Sequence, residues 1–182
     1  MTECEAVEQL KNGDPHQGNQ AFHELFETHS GAVFRYLCRM TGRKETAEDL
    51  LQETFMTVIQ KIGFFNPQSG DASGLRSWIF RIATNLAIDV LRRDRKQEPL
   101  PDILPETIDS RTPHEAAVSL EQSATLLRAL DLLPDTQRLF LILKEQQGMS
   151  CLEISRVCGC STNAVKQGLF RARVTMRKLL CT

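Results

Sequence analysis

The chain has 182 residues, 41% of them hydrophobic and 25% charged, with a formal net charge of −1. That composition is ordinary for a globular protein with one domain or two small ones, and it excludes wholesale disorder. The longest clean apolar run, Leu139 to Leu143, is far too short for a membrane helix, and the opening MTECEAVEQLKNGD is acidic where a secretory signal is basic and then apolar, so the expected compartment is the cytoplasm.

The near-zero net charge hides segregation. Between Arg76 and Lys96 lie Arg76, Arg81, Arg92, Arg93, Arg95 and Lys96 against Asp89 and Asp94, and from Ser161 onward lie Lys166, Arg171, Arg173, Arg177 and Lys178 with no acidic residue. The compensating carboxylates fall before Phe22 and between Gln97 and Glu121. Two basic segments separated by an acidic one predict two contacts with a polyanion. Pro99, Pro101, Pro105 and Pro113 interrupt the acidic stretch, which reads as an extended linker. The expected layout is all-α: an N-terminal extension over 1–19, a helical domain over 20–96, a linker over 97–114, and a second helical domain over 115–182.

Within the first domain, residues 46–62 read as an amphipathic helix with Thr46 as N-cap, burying Leu51, Phe55, Val58 and Ile62. Its opposite stripe carries Asp49, Gln52, Glu53 and Gln60, which composition alone reads as a solvated face. Residues 63–74 are rich in turn formers and read as a loop, followed by an uninterrupted helix over 75–96 burying Leu75, Ile79, Ile82, Leu86 and Val90. Arg81, Asn85, Asp89, Arg92 and Lys96 recur at helical spacing as a mostly basic ridge suited to a nucleic-acid backbone, with Asn85 able to read a base edge. Phe64, Phe65, Trp78 and Phe80 offer stacking surfaces for unpaired bases, although Trp78 between apolar neighbours reads better as core.

The second domain begins with helices over 119–133 and 135–147, broken at Leu133-Pro134; the first is expected to bury Leu126, Leu127, Leu130 and Leu133. Gly148 suits a left-handed cap, and Ser150 with Glu153 forms a capping box. A short helix then turns through Cys158-Gly159-Cys160, and Ser161 caps a final helix with Val165, Leu169, Ala172 and Met176 inward. Helix, glycine turn and basic helix make a helix-turn-helix signature, with Ser161, Thr162, Asn163, Lys166 and Gln167 nearest the bases and Arg171 and Arg173 reaching phosphates.

Three stretches in order, AEDLLQETF, RSWIFRIATNLAIDVLRR and LPDTQRLFLILKEQQGMSCLEISRVCGCSTNAVKQGLFRAR, resemble the extracytoplasmic-function (group IV) sigma factors of the sigma-70 family, over about Ala21 to Leu180. The resemblance implies that Asp49, Gln52 and Glu53 contact the clamp helices of RNA polymerase core. It also implies that the loop after Ile62, Phe64 included, captures a flipped base of the −10 element. Asn85, Asp89 and Arg92 would line the melted strand, with Arg76, Arg81 and Arg93 alongside. Ser161, Thr162, Asn163, Lys166, Gln167, Arg171 and Arg173 would face the −35 element, and an anti-sigma protein is the implied inhibitor. No cofactor is implied.

Two departures from the family pattern stand out. Gly168 sits where arginine is usual, costing a helix about 1 kcal/mol against alanine and removing a phosphate contact, so weaker −35 binding is expected. Cys151, Cys158 and Cys160 form an unusual thiol group that suits a soft metal or an oxidant sensor, set against the commoner reading of small core thiols. No Walker loop, HExxH or GxSxG is present, so no enzyme is expected. The rival reading is a dimeric helix-turn-helix regulator with an N-terminal sensing domain.

Overall fold

The computed structural model describes residues 3–12, 15–66, 72–94 and 125–181, and all the regular structure among them is helical. The expected linker, residues 97–114, lies outside the described residues, as do Arg95 and Lys96. The helices are α1 (Glu3–Asn12), α2 (Pro15–Thr41), α3 (Lys44–Lys61), a 3₁₀ turn (Ile62–Phe64), α4 (Ala72–Asp94), α5 (125–131), α6 (Asp135–Leu141), α7 (Cys151–Cys158) and α8 (Thr162–Leu180).

The expected N-terminal extension contributes to the core. Ala6 and Val7 of α1 are buried, and α1 lies along α2. In α2 the positions Ala21, Leu25, His29, Val33, Tyr36, Leu37 and Met40 recur at spacings of three or four and are all buried, which makes one continuous inward face. The helix stops at Gly42, whose φ of +71° lets its N–H return to the Cys38 carbonyl at 2.9 Å.

Thr46 is not the N-cap of α3. The chain re-enters helix directly after the Gly42 turn, and the Ala47 N–H already bonds the Arg43 carbonyl at 3.1 Å, so the first turn closes before Thr46 could cap it. Phe55, Val58 and Ile62 are buried as expected, but Leu51 is only half-buried and Leu50 and Thr54 take the interior positions. Helix α4 likewise begins at Ala72, inside the expected loop. Its buried face is broader than the expected stripe. Leu75, Ile79, Phe80, Ala83 and Ala87 are buried, while Ile82, Leu86 and Val90 are half-buried, because α4 meets α2 and α3 on one side and α7 on another. Tyr36 ties these layers together: its ring meets Phe80 edge-on at 5.3 Å and its hydroxyl shares a 2.8 Å hydrogen bond with Thr84.

In the C-terminal half, residues 119–124 of the expected first helix lie outside the described residues. Leu126, expected in the core, is 45% exposed, because α5 and the turn after it rest on α8 through Ala129 and Leu133 against Ala172 and Met176. The expected single helix over 135–147 changes pitch: α6 ends at Leu141, and Ile142–Gln146 form a π turn whose Gln147 N–H reaches back to Ile142. Gly148 adopts φ +65°, as its position predicts. The capping box is complete, with the Glu153 N–H donating to Ser150 Oγ and the Ser150 N–H to Glu153 Oε2. Gly159 takes the left-handed conformation between α7 and α8, and Ser161 Oγ caps α8 by accepting from the Ala164 N–H.

The two halves share one core. Helix α7 packs along α4, and the π turn meets α2. At this seam Arg76 Nη2 donates to the Gln147 carbonyl at 2.6 Å, and Gln147 Nε2 donates to the Ala32 carbonyl at 3.4 Å. His29 is buried nearby, and desolvation, then the Arg76 charge, lower its pKa. The folded chain therefore binds fewer protons than the unfolded one just below pH ~6.5, the ordinary histidine value. Stability contributed by neutral His29 is complete above that pH and is lost as the pH falls toward the lowered value. Denaturation midpoints measured from pH 7.5 to 5 should decline, and His29→Gln should flatten the decline.

Candidate nucleic-acid interface

Asp49, Gln52 and Glu53 are exposed together on the outer face of α3, separated by three and four residues, with Gln60 two turns on. The same face carries Met56 (53% exposed) and Ile59 (46% exposed), which lie off the inward stripe. Their signal was present in the sequence as apolar side chains off the buried line. The face therefore combines carboxylates with exposed apolar side chains.

The aromatic group divides. Phe64, held at the end of the 3₁₀ turn, is 89% exposed, whereas Phe65 and Phe80 are core residues and cannot stack on bases in this arrangement. Phe80 is enclosed by Tyr36, and Phe65 lies 5.0 Å from the half-buried Trp78 ring, with its carbonyl bonded by Lys11 Nζ. The helical period could not distinguish these cases, because Phe64 and Phe65 are sequence neighbours that the end of the turn sends in opposite directions.

Arg81, Asn85, Asp89 and Arg92 all lie exposed along one side of α4, and Arg93 is exposed beside them. The Asp89–Arg92 pair at 3.9 Å is solvent-exposed and holds neither group firmly. Arg76 is different: half-buried, bonded to the Gln147 carbonyl, and 5.6 Å from the Phe80 ring centre. On α8, Ser161, Thr162, Asn163, Lys166, Gln167, Arg171 and Arg173 are all exposed, while Val165, Leu169, Ala172 and Met176 face inward. Arg173 pairs with Glu145 at 2.8 Å. Phe170, in the middle of the same outer face, is 69% exposed. Gly168 is a packing position: a Cβ there would stand 2.4 and 2.6 Å from ring atoms of buried Phe140.

Among the described residues no cluster of three or more His, Cys, Asp or Glu side chains is arranged to hold a metal, and Cys151, Cys158 and Cys160 are free, half-buried thiols against the core. Burial, then the neighbouring Cys160, pushes the Cys158 thiol up to about 12. At pH 8 iodoacetamide should therefore modify exposed Cys181 well before Cys158; mass spectrometry of the modified peptides reads the order. No described helix is long and apolar enough to cross a membrane.

Residues 25–97 match the Sigma-70 region 2 family, and residues 123–176 match Sigma-70, region 4. The chain is 33% identical to the ECF RNA polymerase sigma factor BldN of Streptomyces coelicolor, over 97% of this chain and 65% of that protein. It is 31% identical to the ECF RNA polymerase sigma factor SigM of Bacillus subtilis, over 86% of this chain and 93% of that protein. The fold matches the sigma factor RpoE of Bartonella quintana, solved with the anti-sigma factor NepR, at a TM-score of 0.68 and 24% identity, covering 88% of this chain and 97% of that one.

Proposed function

As the chain belongs to the extracytoplasmic-function sigma factors of the sigma-70 family, we propose that it joins bacterial RNA polymerase core in the cytoplasm, recognises −35 and −10 promoter elements and promotes strand separation. The observation that carries this is three unlike exposed surfaces on one chain: the acidic-apolar face of α3, the polar and basic ridge of α4 beside exposed Phe64, and the acid-free outer face of α8. A regulator with a sensing domain has no use for the first two.

Each surface has its chemistry. Asp49, Gln52 and Glu53 bind basic and polar groups of core, and Met56 and Ile59 supply apolar area at the centre of that contact. Phe64 stacks on an extruded −10 base, an interaction worth about 1–3 kcal/mol that offsets an unstacking cost of a few kcal/mol. Arg81, Asn85, Asp89, Arg92 and Arg93 follow the separated strand, with Arg76 joining them when released from Gln147. Ser161, Thr162, Asn163, Lys166 and Gln167 read the −35 major groove while Arg171 and Arg173 fix phosphates. Region 2 occupies 20–96 and region 4 occupies 115–182, with 97–114 between them. The chain acts by binding, with no covalent step of its own. As with RpoE and NepR, an anti-sigma protein is the inhibitor this reading calls for.

Alone, the chain has few phosphate contacts on duplex DNA; with Lys166, Arg171 and Arg173 as three of them, its affinity should fall roughly 40-fold between 50 and 200 mM salt. Polymerase raises the effective concentration of each half at its element. Fluorescence anisotropy on a promoter duplex tests this: weak, salt-sensitive binding by free chain and tight binding once core is added are expected. Tight binding by free chain at physiological salt would contradict it.

A further inference from the structure

Helix α1 ends beside the 3₁₀ turn that presents Phe64. Its inner positions Ala6 and Val7 are buried, Leu10 packs against the same core, and the helix meets α2, the 3₁₀ turn and α4. Lys11 stands in the last turn of α1, where a cation ordinarily serves the carbonyl end of its own helix. Here Lys11 Nζ reaches across the fold and donates to the carbonyl of Phe65, 54 positions further along the chain. A bond from an ammonium is charge-assisted and belongs to the stronger class of hydrogen bonds.

Phe65 is thereby fixed from several directions. Its N–H closes the 3₁₀ turn on the Ile62 carbonyl at 3.0 Å, its carbonyl takes Lys11, and its ring lies 5.0 Å from that of Trp78 on α4. Phe64 stands between buried Phe65 and, across Gly63, buried Ile62, and its own ring is 89% exposed. A side chain so exposed is aimed by its backbone rather than by contacts of its own. We propose that Lys11 is a positioning residue for base capture: by holding the Phe65 carbonyl it sets the direction in which Phe64 leaves the turn, and α1 is the brace that carries it. The role rests on the reading in which Phe64 stacks on an extruded −10 base. A ring that samples several directions binds in proportion to the fraction aimed correctly, so fixing it beforehand raises affinity without any new contact to DNA.

The test titrates core polymerase carrying the full chain onto a fluorescent fork of a promoter mapped by its own run-off transcripts, duplex through −35 and single-stranded at −10. Lys11→Met keeps the aliphatic stem and removes the donor. If the correctly aimed fraction falls from nearly all molecules to about one in five, affinity for the fork falls about fivefold, while affinity for core and for a duplex carrying only the −35 element is unchanged. Lys11→Arg, still a charged donor, restores fork binding. In a Phe64→Ala background Lys11→Met has no further effect, because the ring that it aims is gone. A loss that adds in full to that of Phe64→Ala, or that comes with a salt dependence reduced by about one phosphate contact, would make Lys11 a direct DNA contact and overturn the positioning role. Fork binding unaltered by Lys11→Met but weakened by Phe64→Ala would overturn it as well. Phe64→Ala binding the fork like wild type would overturn the base-capture reading and this role with it, and failure of every form to bind core would overturn the sigma-factor reading itself.

Discussion

Asp49→Ala combined with Gln52→Ala lowers affinity for core polymerase roughly 10- to 100-fold, as expected from the loss of one or two interface anchors worth about 1.4 kcal/mol each. Both side chains are exposed on α3 and neither contributes to the core, so thermal unfolding of the free chain should not change. That separation identifies a docking surface, since a residue needed only for folding would move both measurements. Met56→Ala, at the centre of the same face, should weaken binding without touching charge. Titration of labelled chain with core checks both variants, and a double variant that binds like wild type would remove α3 from the contact.

The second large effect is at Gly168. An alanine in mid-helix ordinarily stabilises by about 1 kcal/mol over glycine. Here its Cβ would stand 2.4 and 2.6 Å from the Phe140 ring, and that ring is buried in the core with nowhere to retreat. Overpacking of this kind costs about 1–3 kcal/mol, enough to reverse the sign, and a longer side chain costs more. Gly168→Ala should therefore lower the urea midpoint, and Phe140→Leu in that background should recover part of the loss although Phe140→Leu alone destabilises. The non-additivity measured in this cycle is the signature of the contact. The glycine is thus more than a missing arginine: it is the complement of a large neighbour 28 positions away in sequence.

That pairing illustrates what local patterns carry. The capping box at Ser150, the left-handed glycines 148 and 159, the Ser161 cap and the inward line of α8 are all governed by residues within four positions of one another, and each is found where its spacing puts it. Helix α3 starts before Thr46, a good capping residue overruled by the Gly42 turn before it. The division of Phe64 from Phe65, the burial of Phe80 and the exposure of Leu126 depend on which neighbour arrives from another part of the chain. The seam was invisible for the same reason. Arg76 and Gln147 are 71 residues apart, and nothing near either predicts that a peptide carbonyl holds a cation counted toward DNA. The exposure of the polar residues of α3, α4 and α8 is legible because recurrence at three and four places polar side chains on one helical face whatever packs behind them.

The most direct measurement is run-off transcription from genomic fragments by purified core polymerase with and without this chain. Discrete transcripts that appear only with the chain, and fade with the Asp49 and Gln52 double variant, are the predicted result. A core enzyme whose products are the same in its presence and absence, with no inhibitor in the reaction, would contradict it.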